Sequence, residues 1–231
     1  MRIVTWNCCR GSATAKLALL ATLNPTVAVV QECSRFEDAG GSRLWSGDNA
    51  RQGIGVICAA PYSVERLPQR DVPRYVVPFH VGGPQSFLLF AVWAKAHPVH
   101  PYVQGVIRAV EAYRDLITAY PTVLVGDFNS NSIWNRKRPG ARDHGALVNI
   151  LGDLGIVSAY HAFHAEEQGS ESRPTFYFRW QRKPTYHIDY CFIPRSWLSS
   201  VQAVEVGTYA GWAKASDHRP VAVDLALPGT A

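Results

Sequence analysis

The stretch TVLVGDFNSNSIW, residues 122–134, decides how this chain folds. Val123 to Val125, with Thr122 before them, put apolar and β-branched residues at consecutive positions, the mark of a short strand covered on both faces. That strand runs into Gly126, Asp127, Phe128 and Asn129, which sets a carboxylate and an amide at its mouth. Glycine lets the backbone turn sharply there, and the two-residue step sends Asp127 and Asn129 to one side. A carboxylate beside a core strand is costly unless it is paired or metal-bound.

The same arrangement recurs along the chain. Asn7 follows the strand Arg2–Trp6 in TWN, and Glu32 follows Val27–Gln31 in VVQE. Asp189 lies in HIDY, inside the strand His187–Ile193, and Asp217 with His218 sits in KASDHRPV just before Pro220–Leu225. Taken singly, an Asp after Gly is a turn residue and Glu32 a solvated strand end. Six such positions beside strands together define a site. An oxygen-only set of Asn, Glu and Asp suits a hard cation such as magnesium. A His–Asp couple suits an orienting or charge-stabilising imidazole.

Further strands are expected at Gly55–Ala59, Ser86–Trp93 and Val201–Val206. Helices are expected at Ala13–Leu23, over residues 102–120, and at His144–Leu154. In the second, Val106, Val110, Tyr113, Ile117 and Tyr120 step by four and three along one face. Strands in runs with three helices inserted predict two packed sheets with helices outside, in a single domain spanning 1–231.

Composition narrows the class. At 231 residues, 47% hydrophobic and 18% charged, the chain can bury a full core. A net charge of +5 suits an anionic partner such as nucleic acid or a phosphorylated surface. Cys8, Cys9, Cys33, Cys58 and Cys191 lie in or beside apolar segments, as buried thiols do in a reducing compartment, and no CxxC spacing suggests zinc. No signal sequence opens the chain and no apolar run approaches about 20 residues. A cytoplasmic monomer without membrane or protein partner is expected.

TWN, QE, GDFN, HIDY and SDH occur in that order over essentially the whole length, and GDFN and SDH are the specific ones. In them the chain resembles the endonuclease/exonuclease/phosphatase family, and most of all its exonuclease III/abasic-site endonuclease branch. The resemblance implies a deoxyribonuclease I-like α/β/β/α four-layer sandwich that cleaves phosphate esters with Mg²⁺ or Mn²⁺ at one edge. It makes Glu32 the principal metal ligand, supported by Asn7 and completed by Asp217. Asp127 would orient and deprotonate water, with Asn129 holding Asp127 or a phosphate oxygen. His218, fixed by Asp189, would donate to the phosphate oxygens.

Two positions depart from the family pattern. Trp93 stands where related nucleases place Tyr or His, and reads as core; Lys95, His97, His100 or Tyr102 on the following loop are the available substitutes. His187 stands where abasic-site endonucleases tend to carry arginine, so abasic specificity stays open.

Two basic loops follow the motifs. WNRKRPGAR holds Arg136, Lys137, Arg138 and Arg142, while SRPTFYFRWQRKPTYH interleaves cations with Phe176, Tyr177, Phe178, Trp180 and Tyr186. Cations beside stacking rings are a nucleic-acid footprint, although FYFRW also alternates like a strand. By resemblance the second loop abuts the minor groove and brings Thr175 and Trp180 to the substrate. A nuclease acting on DNA is expected, as endonuclease or 3′ exonuclease. The alternative is an inositol-phosphate, phospholipid or other small-ester hydrolase, whose Pro-Ala-Trp-Cys-Asp-Arg motif is missing here.

Overall fold

Two parallel strand pairs organise the computed structural model, which describes residues 1–135 and 143–227. In the first pair, β1 (Arg2–Asn7) and β2 (Val27–Cys33) are joined by α1 (Ala13–Ala21), the crossover that parallel strands require. The hairpin β3 (Arg43–Asn49)–β4 (Gln52–Cys58) and the strands β5 (Ser63–Arg66) and β6 (Val76–Gly82) follow. The second parallel pair is β7 (Phe87–Trp93) and β8 (Thr122–Asp127), joined by α2 (Val103–Ala112) and α3 (Arg114–Ala119). Then come α4 (His144–Asp153), β9 (Ile156–Ser158), α5 (Ala159–His164), β10 (Phe176–Tyr177), β11 (Thr185–Tyr186) and β12 (Asp189–Pro194). Last are β13 (Val201–Val206), α6 (Tyr209–Trp212) and β14 (Val221–Leu225). Each parallel pair sits mid-sheet, in orders β13-β14-β1-β2-β4-β3 and β5-β6-β7-β8-β12-β9, with antiparallel partners outside.

Strand alternation builds the layers. Val123 and Val125 point between the sheets, where they join Leu89, Ile3, Val27 and Val29. Leu124, one residue out of phase, points the other way into a core with Val106, Val110, Leu147 and Leu151 of α2 and α4. Val4, Trp6, Ala28 and Val30 pack on Leu17 and Leu20 of α1. The result is the expected helix–sheet–sheet–helix sandwich. Among the described residues no helix is long and apolar enough to cross a membrane.

The expected long helix is broken at Tyr113, whose backbone leaves helical geometry at φ −107° and ψ 16°. Its buried ring fills the core while its hydroxyl accepts the Arg70 N–H at 2.6 Å and donates to the Pro68 carbonyl at 3.1 Å. Tyr120, placed by periodicity on the apolar face, is exposed beyond the break. Strands β3, β5, β6 and β9 were not expected. Three of them are sheet edges rich in Gly, Asp, Ser or charge, or too short to show a period, and β6 carries Pro78. The FYFRW segment pairs only at Phe176–Tyr177 and then turns, with Arg179 and Trp180 at φ 53° and 62°.

Gly126 corrects the opening expectation. The strand does not turn there but continues to Asp127, with Gly126 pairing Val92 on one side and Tyr190 on the other. Its φ of 145° and the closeness of β7 both demand glycine, since a Cβ would overlap the Val92 carbonyl. The chain turns at Asn129, at φ 48°.

Candidate active site

The carboxyl ends of β1 and β8 meet between the sheets, the position at which open α/β folds bind ligands. Asn7 Nδ2 lies 2.9 Å from Asp127 Oδ2 and 3.3 Å from Glu32 Oε1. The amide is held in that sense because its Oδ1 accepts the Cys9 N–H at 3.0 Å. Glu32 reaches the site through a β-bulge: the β2–β4 register shifts between Gln31 and Cys33, and Glu32 takes φ 54°. Its neighbour Gln31 is wholly buried, whereas Glu32 is half-buried with its Oε2 3.5 Å from the exposed Arg10 Nε.

Asp127 is fully buried and over-supplied with donors. Its Oδ1 accepts the Asn129 N–H at 2.8 Å, and its Oδ2 accepts the Asn129 side-chain amide at 3.0 Å as well as Asn7. Burial, and then the negative charge of Asp189, push its pKa up to about 7, against the opposing pull of His218 and those donors. Asp189 stands directly opposite Asp127 in the β8–β12 ladder.

His218 Nδ1 lies 2.9 Å from Asp189 Oδ2. Burial alone would depress this imidazole, but the charge and hydrogen bond of Asp189, with Asp127 and Asp217 behind it, outweigh burial and raise its pKa to about 9. At neutral pH His218 is therefore a cation whose Nε2–H is free of the Asp189 bond.

Ser216, the first residue of SDH, received no role from the sequence yet pins this corner. Its hydroxyl donates to the Asn7 carbonyl at 2.7 Å and accepts the His218 N–H at 2.9 Å. Trp6 Nε1 donates to the His218 carbonyl, and the buried Arg219 donates to the carbonyls of Ser216 and His218. The Phe176 ring lies 4.6 Å from the His218 ring. No local pattern announces these partners; only the Ser in SDH offered a signal.

Asp217 is half-buried beside Cys9. The Cys9 thiol is pushed up to about 12 by burial first and then by the charges of Asp217 and Glu32, so both carboxylates approach this one sulfur.

Among the described residues, Asp127, Asp189 and His218 bring ligand atoms within 4.8 Å of one another, a group that could hold a metal ion. Asp189 Oδ1 is buried without a hydrogen-bond partner, which leaves a lone pair for a cation. The carboxylate oxygens of Asp127 and Asp189 suit a hard divalent ion, and Glu32 is tied to Asp127 through Asn7, which turns its N–H groups rather than its oxygen towards both carboxylates.

Other expected site residues fall elsewhere. Thr175 is wholly buried, and its hydroxyl accepts the N–H groups of Ile188 and Asp189 at 3.0 and 3.1 Å. It therefore faces the Asp189 backbone rather than an open surface. Trp180 is exposed on the turn after β10, its carbonyl accepting the Tyr209 hydroxyl. Arg136, Lys137 and Arg138 lie outside the described residues. Trp93 is buried, as expected, with its ring edge-on to Tyr75. His187 is buried against the Arg173 carbonyl at 2.7 Å.

Solved structures share this architecture, the deoxyribonuclease I-like fold. The endonuclease domain of TRAS1, a telomere-specific non-LTR retrotransposon, is 23% identical, with TM-score 0.69 over 97% of each chain. The 3′ phosphatase NExo from Neisseria bound to a product DNA hairpin is 19% identical, with TM-score 0.67 over 98% of this chain and 100% of that one. The 3′–5′ exonuclease NExo from Neisseria meningitidis gives 19% and 0.66 over 97% and 99%. No curated protein matches. Residues 4–218 match the model of the Endonuclease/Exonuclease/phosphatase family, and the chain belongs to that family.

Proposed function

We propose that the protein is a divalent-metal-dependent nuclease that hydrolyses phosphodiester bonds of DNA by in-line attack of a water activated by Asp127. One observation carries this: two neighbouring buried groups, Asp127 and His218, both have raised pKa values that bracket the range just above neutrality. Asp127, near 7, can accept a proton, while His218, near 9, can donate one. Asn7 and the Asn129 N–H hold the Asp127 carboxylate in place to receive the water's proton. His218 Nε2–H donates to a phosphate oxygen as charge builds, with Asp189 keeping the imidazole charged and oriented. Glu32, supported by the Asn7 amide and completed by Asp217, would hold Mg²⁺ or Mn²⁺, which supplies Lewis-acid neutralisation of the phosphate and of the departing alkoxide.

DNA is favoured by the net charge of +5, by the basic segment containing Arg136, Lys137 and Arg138, and by the exposed Trp180. Solved structures of the same fold named as endonuclease, exonuclease and 3′ phosphatase support the same reading. Five free thiols suit a reducing compartment such as the cytoplasm.

The test is a substrate panel with Mg²⁺, Mn²⁺ or chelator: labelled duplex, single-stranded, abasic, 3′-phosphorylated and RNA oligonucleotides beside inositol phosphates and sphingomyelin. Metal-dependent cleavage of DNA is expected. Hydrolysis of the small esters or the lipid alone would overturn the nuclease assignment.

A further inference from the structure

A cavity of about 490 Å³ opens beside the carboxyl end of β7, walled by the loop after that strand and by the segment leading into β6. It adjoins the catalytic centre through the backbone. The Ala94 N–H donates to the Asp127 carbonyl at 2.8 Å, the Ala94 carbonyl accepts the Asn129 amide at 3.0 Å, and Lys95 is the next residue. The Lys95 ammonium lies 4.1 Å from the ring centres of both Tyr75 and Trp93 and makes no ion pair among the described residues. The neighbouring Arg74, in contrast, is engaged by Asp48 at 2.8 Å. Among the described residues Lys95 is thus the cation of this cavity without an ion-pair partner, although Asp48 and Glu32 lie near enough for their charges to act on it.

Its outer wall is aromatic. The His97 and His100 rings are nearly parallel, 7° apart in plane with centroids separated by 6.0 Å. His97 Nδ1 accepts the N–H groups of Val99 and His100, which fixes the ring orientation and leaves its face to the cavity.

We propose that this cavity binds one nucleotide of the substrate, adjacent to the scissile phosphate, with its base against the His97 and His100 rings and its phosphodiester on Lys95. The proposal rests on the nuclease reading and deepens it. A lysine without an ion-pair partner among the described residues matches the single charge of a phosphodiester, flat rings match the face of a base, and the volume suits a nucleoside. A base held in a duplex stack cannot enter a cavity. The bound nucleotide must leave the stack, which costs least in single strands and frayed ends. The enzyme therefore prefers unpaired DNA or chain ends over the interior of a duplex.

Two experiments test this on the full chain. In the first, kcat/KM is measured for a single-stranded oligonucleotide, a covalently closed duplex and bis(p-nitrophenyl) phosphate, for wild type, for His97→Ala and for Lys95→Met combined with His97→Ala. Wild type should prefer the single strand, and the variants should lose that preference by about tenfold, through KM. Should the double variant not fold, the exposed His97 makes the single variant decisive. A wild-type preference for closed duplex, or an unaltered preference in the variants, overturns the proposal. Failure to hydrolyse any of the three substrates with either metal defeats the nuclease reading instead.

The second experiment is independent of turnover. Chelator-treated protein is titrated calorimetrically with deoxyadenosine 5′-monophosphate, deoxyadenosine and inorganic phosphate. Binding of the nucleotide above the other two, weakened about tenfold by His97→Ala, is expected. Absence of nucleotide binding, or equal binding of inorganic phosphate, overturns the cavity assignment even if the enzyme cuts DNA.

Discussion

The side-chain amide of Asn7 donates to Asp127 Oδ2 across 2.9 Å and so ties the last residue of β1 in one sheet to the last residue of β8 in the other. Neither sheet contains the site alone. Asn7→Ala removes a donor that favours the ionised form of Asp127, so the pKa of Asp127 should climb above about 7. The acidic limb of the kcat/KM–pH profile is expected to move up by about one pH unit, with kcat falling roughly 10- to 100-fold at neutral pH. A pH–rate profile of the variant checks this, and an unmoved acidic limb would contradict Asp127 as the base.

Asp189→Asn should have the opposite sign at His218. Without the carboxylate, burial acts unopposed by its strongest partner, and the imidazole pKa falls below about 9. The alkaline limb of the rate profile then shifts to lower pH. The pair also has a stability signature. Because the folded pKa of His218 is raised, its stabilisation is fully present below about pH 6.5 and disappears as pH rises through about 9. Urea unfolding at pH 6 and pH 10 should show a loss on the order of 2 kcal/mol in the wild type that is absent from Asp189→Asn.

Gly126→Ala should unfold the second sheet before it disturbs chemistry directly. The new methyl meets the Val92 carbonyl of an adjacent strand in the middle of the sheet, at a φ of 145° that alanine rarely adopts. A destabilisation of about 3 kcal/mol or more is expected from the combined overlap and backbone strain. Thermal melts of the variant measure it, and a wild-type melting temperature would refute the close approach.

His144 predicts acid sensitivity from a group outside the candidate site. It is wholly buried, stacked on Tyr190 at 4.7 Å, and its Nδ1 is 2.9 Å from the Ser130 hydroxyl. Burial depresses its pKa to about 3, so the native state keeps it neutral while the unfolded chain protonates it. Its contribution is complete above about pH 6.5 and is lost as pH falls towards 3. Glu171 and Glu166, both held near 2, weaken the fold only below about pH 4.5. His144→Phe should therefore make the stability–pH curve shallower between pH 6.5 and 4.5, the remaining slope there coming from His187, which burial also depresses, as read by urea midpoints at each pH.

The basic segment gives a prediction about salt. Replacing Arg136, Lys137 and Arg138 together with alanine should weaken DNA binding uniformly across sequences. The slope of log K against log salt should flatten by about 2 to 3. A fluorescence-anisotropy titration over a salt series measures the slope, and an unchanged value would assign these cations to ordinary surface.

Much of the site was legible because its residues are anomalies against their surroundings. Asp127 follows four apolar or β-branched positions, and Glu32 follows Val29 and Val30, where carboxylates are conspicuous. The buried supports were not legible. Ser216 and Thr175 are ordinary polar residues in loops, and their roles come from backbone groups that folding brings within about 3 Å. The edge strands β3 and β5 hid for a related reason, since a solvated edge relaxes the apolar pattern that betrays a central strand.

The sequence by itself determined which side chains stand at the ends of buried strands, and which strands alternate their apolar groups between two cores. Those are consequences of local periodicity, which the chain carries wherever it is placed. Only the tertiary structure decided that the ends of β1, β2, β8 and β12 converge, that Glu32 is swung into the site by a bulge, and that burial raises the pKa of Asp127 while neighbouring carboxylates raise that of His218. Desolvation and Coulomb interaction depend on depth and on distance through space, and residues 120 positions apart acquire neither until the sheets close on each other.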